Sequence, residues 1–205
     1  MLIFEQIPVG PMQNFAYLIG DEKTRLAAVV DPAWDIERIL DVAKRNNLRI
    51  VYAINTHSHM DHTSGNDELA KATGAKVVAH EASKKRKDIS VKDGETLHVG
   101  SLELKFIHTP GHSPDQVSIL VESKLMTGDT LFVGECGRTD LPGGSSEQQY
   151  DSLFNKLMKL PDDVEVYPGH DYGPKPKSTI AYEKAHNYVL KPRSVREFVE
   201  FMKEP

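Results

Sequence analysis

Ile50-Val51-Tyr52-Ala53-Ile54-Asn55-Thr56-His57-Ser58-His59-Met60-Asp61-His62 is the stretch on which the reading of this chain turns. Its first part, Ile50–Ile54, is an apolar run without alternation. That is the pattern of a strand buried on both faces, and hence central in its sheet. Its last six residues hold three histidines and one aspartate. A loop mounted on the end of a central strand is held rigidly, which is where chemistry is placed. His57 and His59 are two apart, so an extended segment points both imidazoles the same way. Asp61 and His62 come as the chain turns towards the next helix and can face a neighbouring position. Four nitrogen and oxygen donors in one short loop suit a borderline cation such as zinc, iron or manganese.

Three more donors sit in a common context, a glycine-marked turn after a strand pattern. They are His112 in Thr109-Pro110-Gly111-His112, Asp129 in Thr127-Gly128-Asp129, and His170 in Tyr167-Pro168-Gly169-His170. The glycines let the backbone turn sharply so that a side chain projects from the strand end. Seven donors are too many for one tetrahedral ion, and the natural arithmetic is two ions sharing one carboxylate. A lone histidine in a turn is ordinarily a surface residue, so His80, His98, His108 and His186 receive no role. The lone cysteine, Cys136, has no histidine beside it in sequence and reads as a small packed residue.

Outward from the histidine cluster, strands are expected at Leu2–Pro8, Phe15–Ile19 and Leu26–Val30, with Gly20-Asp21 as a turn. Asp35 reads as the N-cap of a helix whose apolar face is Ile36, Ile39, Leu40 and Ala43. A helix over Asn66–Thr73 stops at Gly74, and Lys76–Ala79 is a short strand. Strand patterns resume at Thr96–Val99, Leu102–His108, Val117–Val121 and Leu125–Thr127. Ser145 or Ser146 caps a helix carrying Tyr150, Leu153, Phe154 and Leu157, with Gln148 and Gln149 placed for a capping box and Pro161 as its end. Val164–Tyr167 is a late strand, followed by helices over Ser178–Leu190 and Val195–Met202. Two sheet-plus-helix halves of this kind stack sheet on sheet with helices outside.

The 205 residues suit a single domain, 1–205, with a core large enough to need no staples. Net charge is −5 and there is no basic stripe, so nucleic acid is not an expected partner. The basic cluster Ser83-Lys84-Lys85-Arg86-Lys87-Asp88 reads as a solvated loop or helix end. No apolar run reaches the length of a membrane span, and Met1–Gly10 lacks the features of a secretory signal. The expectation is a cytoplasmic protein with no membrane partner.

His57-x-His59-x-Asp61-His62, followed by His112, Asp129 and His170, resembles the metallo-β-lactamase superfamily over nearly the whole chain. The resemblance implies an α/β fold, an αββα sandwich of two mixed β-sheets packed face to face with helices outside. The metals would lie at one edge, between the sheets. By the family pattern His57, His59, His112 and Asp129 hold one metal ion. Asp61, His62, Asp129 and His170 hold a second, with Asp129 bridging. The cofactors so implied are two divalent cations, zinc first, with iron or manganese as the other options.

Asn14-Phe15-Ala16-Tyr17-Leu18-Ile19, Asp61-His62-Thr63-Ser64-Gly65-Asn66 and Gly128-Asp129-Thr130-Leu131-Phe132 are similar to hydroxyacylglutathione hydrolase (glyoxalase II). In that family a basic residue after the bridging aspartate and a tyrosine after the last histidine hold glutathione. Arg138 and Tyr172 match those positions. Glyoxalase II also carries a further helical domain for glutathione, which this chain is not expected to have. Cys136-Gly137-Arg138-Thr139-Asp140 and the segment from His170-Asp171-Tyr172-Gly173 through Phe198 look more like persulfide dioxygenases. Those enzymes bind a single iron, here through His57, His112 and Asp129. The first expectation is therefore a metal-dependent hydrolase of a thioester or ester. Asp61 would be catalytic in it, holding a metal and orienting the attacking hydroxide. The substrate would be a small molecule such as a glutathione or other thiol conjugate. The alternative is a mononuclear iron dioxygenase of glutathione persulfide.

Overall fold

A computed structural model describes residues 1–203. The chain runs β1 (Leu2–Val9), β2 (Asn14–Asp21), β3 (Leu26–Val30), α1 (Ile36–Arg45), β4 (Arg49–Ile54), α2 (Met60–Thr63), α3 (Asn66–Thr73), β5 (Lys76–His80) and β6 (Ile89–Val91). It continues through β7 (Thr96–Val99), β8 (Leu102–His108), β9 (Val117–Val121), β10 (Lys124–Gly128), β11 (Leu131–Phe132) and β12 (Glu135–Cys136). After α4 (Ser146–Tyr150) come β13 (Glu165–Pro168), β14 (Ser178–Thr179), α5 (Ile180–His186) and α6 (Val195–Phe201). The first six strands form one sheet in the order β1-β2-β3-β4-β5-β6. The second sheet has the order β14-β13-β10-β9-β8-β7, and β11-β12 is a separate hairpin. Both sheets are mixed: β3, β4, β5 and β6 run parallel, as do β10 and β13, while the remaining pairs are antiparallel.

Period-two alternation sorts the apolar residues into layers. In β2, where every residue is buried, Phe15, Tyr17 and Ile19 face the second sheet, while Ala16 and Leu18 face outwards. The inner faces meet around Ile54, Val78, Leu104, Phe106, Ile119 and Met126. Outside the first sheet lie Ile36, Ile39, Val42 and Ala43 of α1 and Leu69 of α3. Outside the second lie Leu153, Leu157, Ile180, Val189 and Phe198. The result is an αββα sandwich of two mixed sheets. None of the described helices is long and apolar enough to cross a membrane.

β4 sits between β3 and β5, in parallel with both, as its unbroken apolar run requires. Four expectations differ in detail. Gly20-Asp21 lies inside β2, not in a turn; a side chain on Gly20 would meet Leu48 Cδ1 at 2.4 Å, so this glycine serves packing. Asp35 precedes α1 without capping it, since its carboxylate accepts from Gly10 N at 2.8 Å. Ser145 does cap α4, accepting from Gln148 N. Beyond Tyr150, however, that helix loosens into a π-helical stretch, Asp151–Lys156. Ser178 and Thr179 pair as a strand with Val166 and Glu165, so the helix expected over Ser178–Leu190 starts at Ile180 and ends at His186.

Asp21 pins the two sheets together at the end away from the histidines. Its fully buried carboxylate accepts from Ser101 N at 2.8 Å, Thr24 Oγ1 at 2.8 Å and Lys23 N at 3.0 Å. The Ser101 amide, with the other donors, holds its pKa well below the usual carboxylate range. A depressed folded-state pKa contributes stability that is present above the unfolded value of about 3.9 and is lost as the pH falls below it. Asp21→Ala should therefore lower the melting temperature at pH 7, and the gap from the parent should narrow below about pH 4. Thermal melts across that range check this. A gap that does not change with pH would contradict the role.

Candidate metal centre

Every donor named from the sequence projects from one edge of the sandwich. His57, His59, Asp61 and His62 follow β4, His112 follows β8, Asp129 follows β10, and His170 follows β13. The two sheets are stitched there by Val117 N donating to Thr56 O at 2.8 Å and Phe15 N donating to Gly169 O at 2.9 Å. Gly128 is needed at its position: its φ is +49° and a side chain would strike Thr56 and Gln116 within 2.7 Å. That turn aims the carboxylate of Asp129 back between the sheets.

The donor atoms converge in two adjoining cradles. His59 Nδ1 lies 3.0 Å from both His57 Nε2 and His112 Nε2, and His112 Nε2 lies 3.5 Å from Asp129 Oδ2. On the other side, Asp61 Oδ2 is 3.3 Å from both His62 Nε2 and His170 Nε2. Asp129 faces this cradle too, with Oδ1 3.3 Å from His62 Nε2 and Oδ2 3.4 Å from His170 Nε2. Bonds of about 2.0–2.1 Å to one ion place neighbouring donors about 3.0–3.4 Å apart, so these are the edge lengths of a coordination shell. Three overlapping groups each bring one donor atom per residue within 4.8 Å of the others: His57, His59 and His112; His57, His62 and Asp129; and Asp61, His62 and His170.

The hydrogen-bond network assigns which nitrogen of each ring is free. His62 Nδ1 donates to Asp31 Oδ2 at 2.9 Å, His112 Nδ1 to Arg138 O at 2.8 Å, and His170 Nδ1 to Met12 O at 2.9 Å. Thr56 Oγ1 spends its proton on Asp31 Oδ2, so it accepts from His57 Nδ1 at 3.1 Å. In each of the four rings Nε2 is therefore the nitrogen turned inward, the one that ligates a metal when it carries no proton. His62 Nε2 and Asp129 Oδ1 are buried and have no hydrogen-bond partner. Buried polar atoms without a hydrogen-bond partner are costly unless something satisfies them, and a cation between the two would do so.

The charges agree. Burial, reinforced by the neighbouring imidazoles, pushes the pKa values of His57 and His59 down, which keeps them neutral. Burial works against the ionised carboxylate of Asp129, but His62, His170 and His57 outweigh it and hold its pKa well below the ordinary range. Burial likewise opposes protonation of His170, yet Asp129 and Asp61 raise its pKa to about 9. His62 is raised against its own burial by Asp129 and Asp31. The cavity thus carries a negative potential that a cation would satisfy.

Sequence reasoning missed the residues that orient these groups. Asp31, buried at the end of β3, accepts from Thr56 N at 2.8 Å, Thr56 Oγ1 at 2.7 Å and His62 Nδ1. Its φ of +52° is an uncommon conformation for a residue with a side chain. Asn14, buried at the start of β2, donates to Asp61 O at 2.9 Å and to Asp61 Oδ2 at 3.2 Å. The available signal for Asp31 was an acid placed directly after the fully apolar Leu26–Val30 run.

A cavity of about 420 Å³ opens over the donors, walled by Met12, Phe132, Leu141 and Tyr172. Tyr172 stacks on His170 with ring centres 4.5 Å apart. Arg138 reaches the same mouth, but its guanidinium is engaged by Asp140. Cys136 is buried beneath the mouth with its sulfur 3.9 Å from Met202 Sδ. Burial pushes the thiol up to about 12, which fits a packed residue and not a nucleophile. His80 and His108 stack on each other with ring centres 4.0 Å apart, outside the cluster.

Comparison with known proteins agrees with this architecture. The profile of the metallo-beta-lactamase superfamily matches residues 9–87 and 81–170. The human persulfide dioxygenase ETHE1, mitochondrial, is 35% identical over 196 residues, covering 92% of this chain and 76% of that protein. A hydroxyacylglutathione hydrolase of Polaromonas sp. is 38% identical over 179 residues, covering 83% of this chain and 67% of that one. The crystal structure of ETHE1 from Myxococcus xanthus superposes with a TM-score of 0.94 at 37% identity, covering 98% of this chain and 90% of that chain. With its fold, its donor cluster and these likenesses in accord, the chain belongs to the metallo-beta-lactamase superfamily.

Proposed function

We propose that this chain is a mononuclear iron dioxygenase that oxidises the outer sulfur of a thiol persulfide, glutathione persulfide being the leading candidate. The observation that carries the reading is the likeness, at 37% identity and TM-score 0.94, to an ETHE1 structure, together with the human relative named a persulfide dioxygenase. It supports the alternative of the sequence reading over the hydrolase. In the proposed assignment His57, His112 and Asp129 form a two-histidine, one-carboxylate face with open positions. Iron bound there would supply the redox chemistry that joins dioxygen to sulfur. The balance is RSSH + O₂ + H₂O → RSH + SO₃²⁻ + 2H⁺.

The chain's own residues do the rest. Asp31, through Thr56, and the Arg138 carbonyl fix the tautomers of His57 and His112. The apolar walls at Met12, Phe132 and Leu141 keep the sulfur chain away from bulk water. Tyr172 and Arg138 border the mouth, where the remainder of the thiol would lie.

The second reading is a two-metal thioester hydrolase. The cradle of Asp61, His62 and His170, which one iron leaves unused, favours it. Two ions there would supply hydroxide near neutral pH, and Asp61 would orient it. Metal analysis of protein purified without added metal separates the two. The proposed reading expects one iron per chain, retained in Asp61→Ala with turnover within about tenfold of the parent. Two ions per chain, with turnover lost by orders of magnitude in Asp61→Ala, would select the hydrolase.

A further inference from the structure

Among the described residues lining the metal pocket, Arg138 is the one lysine or arginine. Its guanidinium is already taken as a fork. Nε donates to Asp140 Oδ1 and a terminal nitrogen donates to Asp140 Oδ2, each at 2.5 Å. This is the two-point geometry in which a guanidinium binds any carboxylate. Asp140 stays ionised through the neutral range, because Arg138 pulls its pKa down to about 2.

The pair also lies where two cavities adjoin. Beyond the metal pocket lies a second cavity of about 880 Å³, bordered by Tyr188, Phe201 and Met202. The two cavities share Glu135, Cys136 and Arg138, and Asp140 lines the second. A thiol that extends from the metal pocket into this second cavity passes Arg138 and Asp140. Glu135, the other charged group on the partition, is engaged by the Tyr188 hydroxyl.

We propose that Asp140 is a specificity-determining residue. By occupying the fork of Arg138 it holds down the preference of the pocket for thiols that carry a carboxylate. The inference rests on the reading of this pocket as the thiol site, but not on which reaction follows. Asp140 is the chain's internal stand-in for a substrate carboxylate, so an acidic thiol must displace it before Arg138 can grip. Both side chains are well exposed, at 64% and 62%. An exposed pair is a weak competitor, and the effect is a graded preference.

The test is calorimetric titration of the metal-loaded protein with glutathione and with its analogue whose glycine carboxylate is a carboxamide. The parent should bind the two within about threefold of each other. Asp140→Asn should bind glutathione about fivefold tighter, at the upper end for an exposed ion pair, and leave the amide unchanged. The gain should disappear at about 0.5 M salt and in the Asp140→Asn/Arg138→Gln double variant. Equal changes for the two ligands, or no gain for glutathione in Asp140→Asn, would overturn the proposal. A carboxylate-selective gain in a protein that fails to oxidise persulfides would sustain the role of Asp140 and remove the dioxygenase.

Discussion

Asp129→Ala should yield a folded protein that purifies with almost no metal and turns over at least on the order of a thousandfold more slowly than the parent. Loss of one preorganised electrostatic donor from an active site already costs roughly a hundred- to a thousandfold. Asp129 stands between both cradles, with Oδ1 3.3 Å from His62 Nε2 and Oδ2 3.5 Å from His112 Nε2. Removing it takes the shared carboxylate from either metal arrangement and leaves the bare imidazole lone pairs without a counter-charge. Metal content by elemental analysis and turnover by steady-state assay check the expectation. The solvent-exposed His98→Ala is the control and should match the parent. Full metal content in Asp129→Ala would remove Asp129 from the centre of the account.

Asp31→Ala should act one layer further out. Asp31 is not itself a candidate ligand, yet its side chain accepts from His62 Nδ1 and, through the Thr56 hydroxyl, fixes the proton on His57 Nδ1. Partners of this kind are worth roughly 10- to 100-fold in metal affinity or activity. Competition against a coloured chelator should show a loss of that size in Asp31→Ala. Asp31→Asn should recover part of it, because an amide oxygen still accepts from one donor. Unchanged affinity in both variants would show that the two rings are oriented by packing alone.

The sequence was most informative where a residue's local pattern and its tertiary role coincide. The apolar run Ile50–Ile54 demanded a doubly covered strand, and β4 is one. The seven donors were legible because each follows a strand pattern in a turn, and a strand end is a fixed place in a sheet. The structure brings all seven to one edge. The tertiary partners were not legible. Asp31 is 31 residues from His62 and Asn14 is 47 from Asp61, and no local pattern joins them. The strand β14 at Ser178–Thr179 was read as helix because its pairing with Glu165 and Val166 is set by the sheet edge and not by its own residues. Arg138, two residues before Asp140, could be read from the sequence either as a substrate group or as the partner of that acid, and the side-chain geometry shows the pairing.

Seven donors in two cradles are compatible with one ion or with two, and the choice of reaction follows from how they are used. The most direct test offers the protein, purified without added metal and reconstituted with iron(II), glutathione persulfide in an oxygen electrode with sulfite measured in parallel. S-lactoylglutathione is offered in a separate cell. One dioxygen should be consumed and one sulfite formed per persulfide, with no thiol released from the thioester. Thioester cleavage without oxygen uptake, by protein carrying two ions per chain, would contradict that expectation.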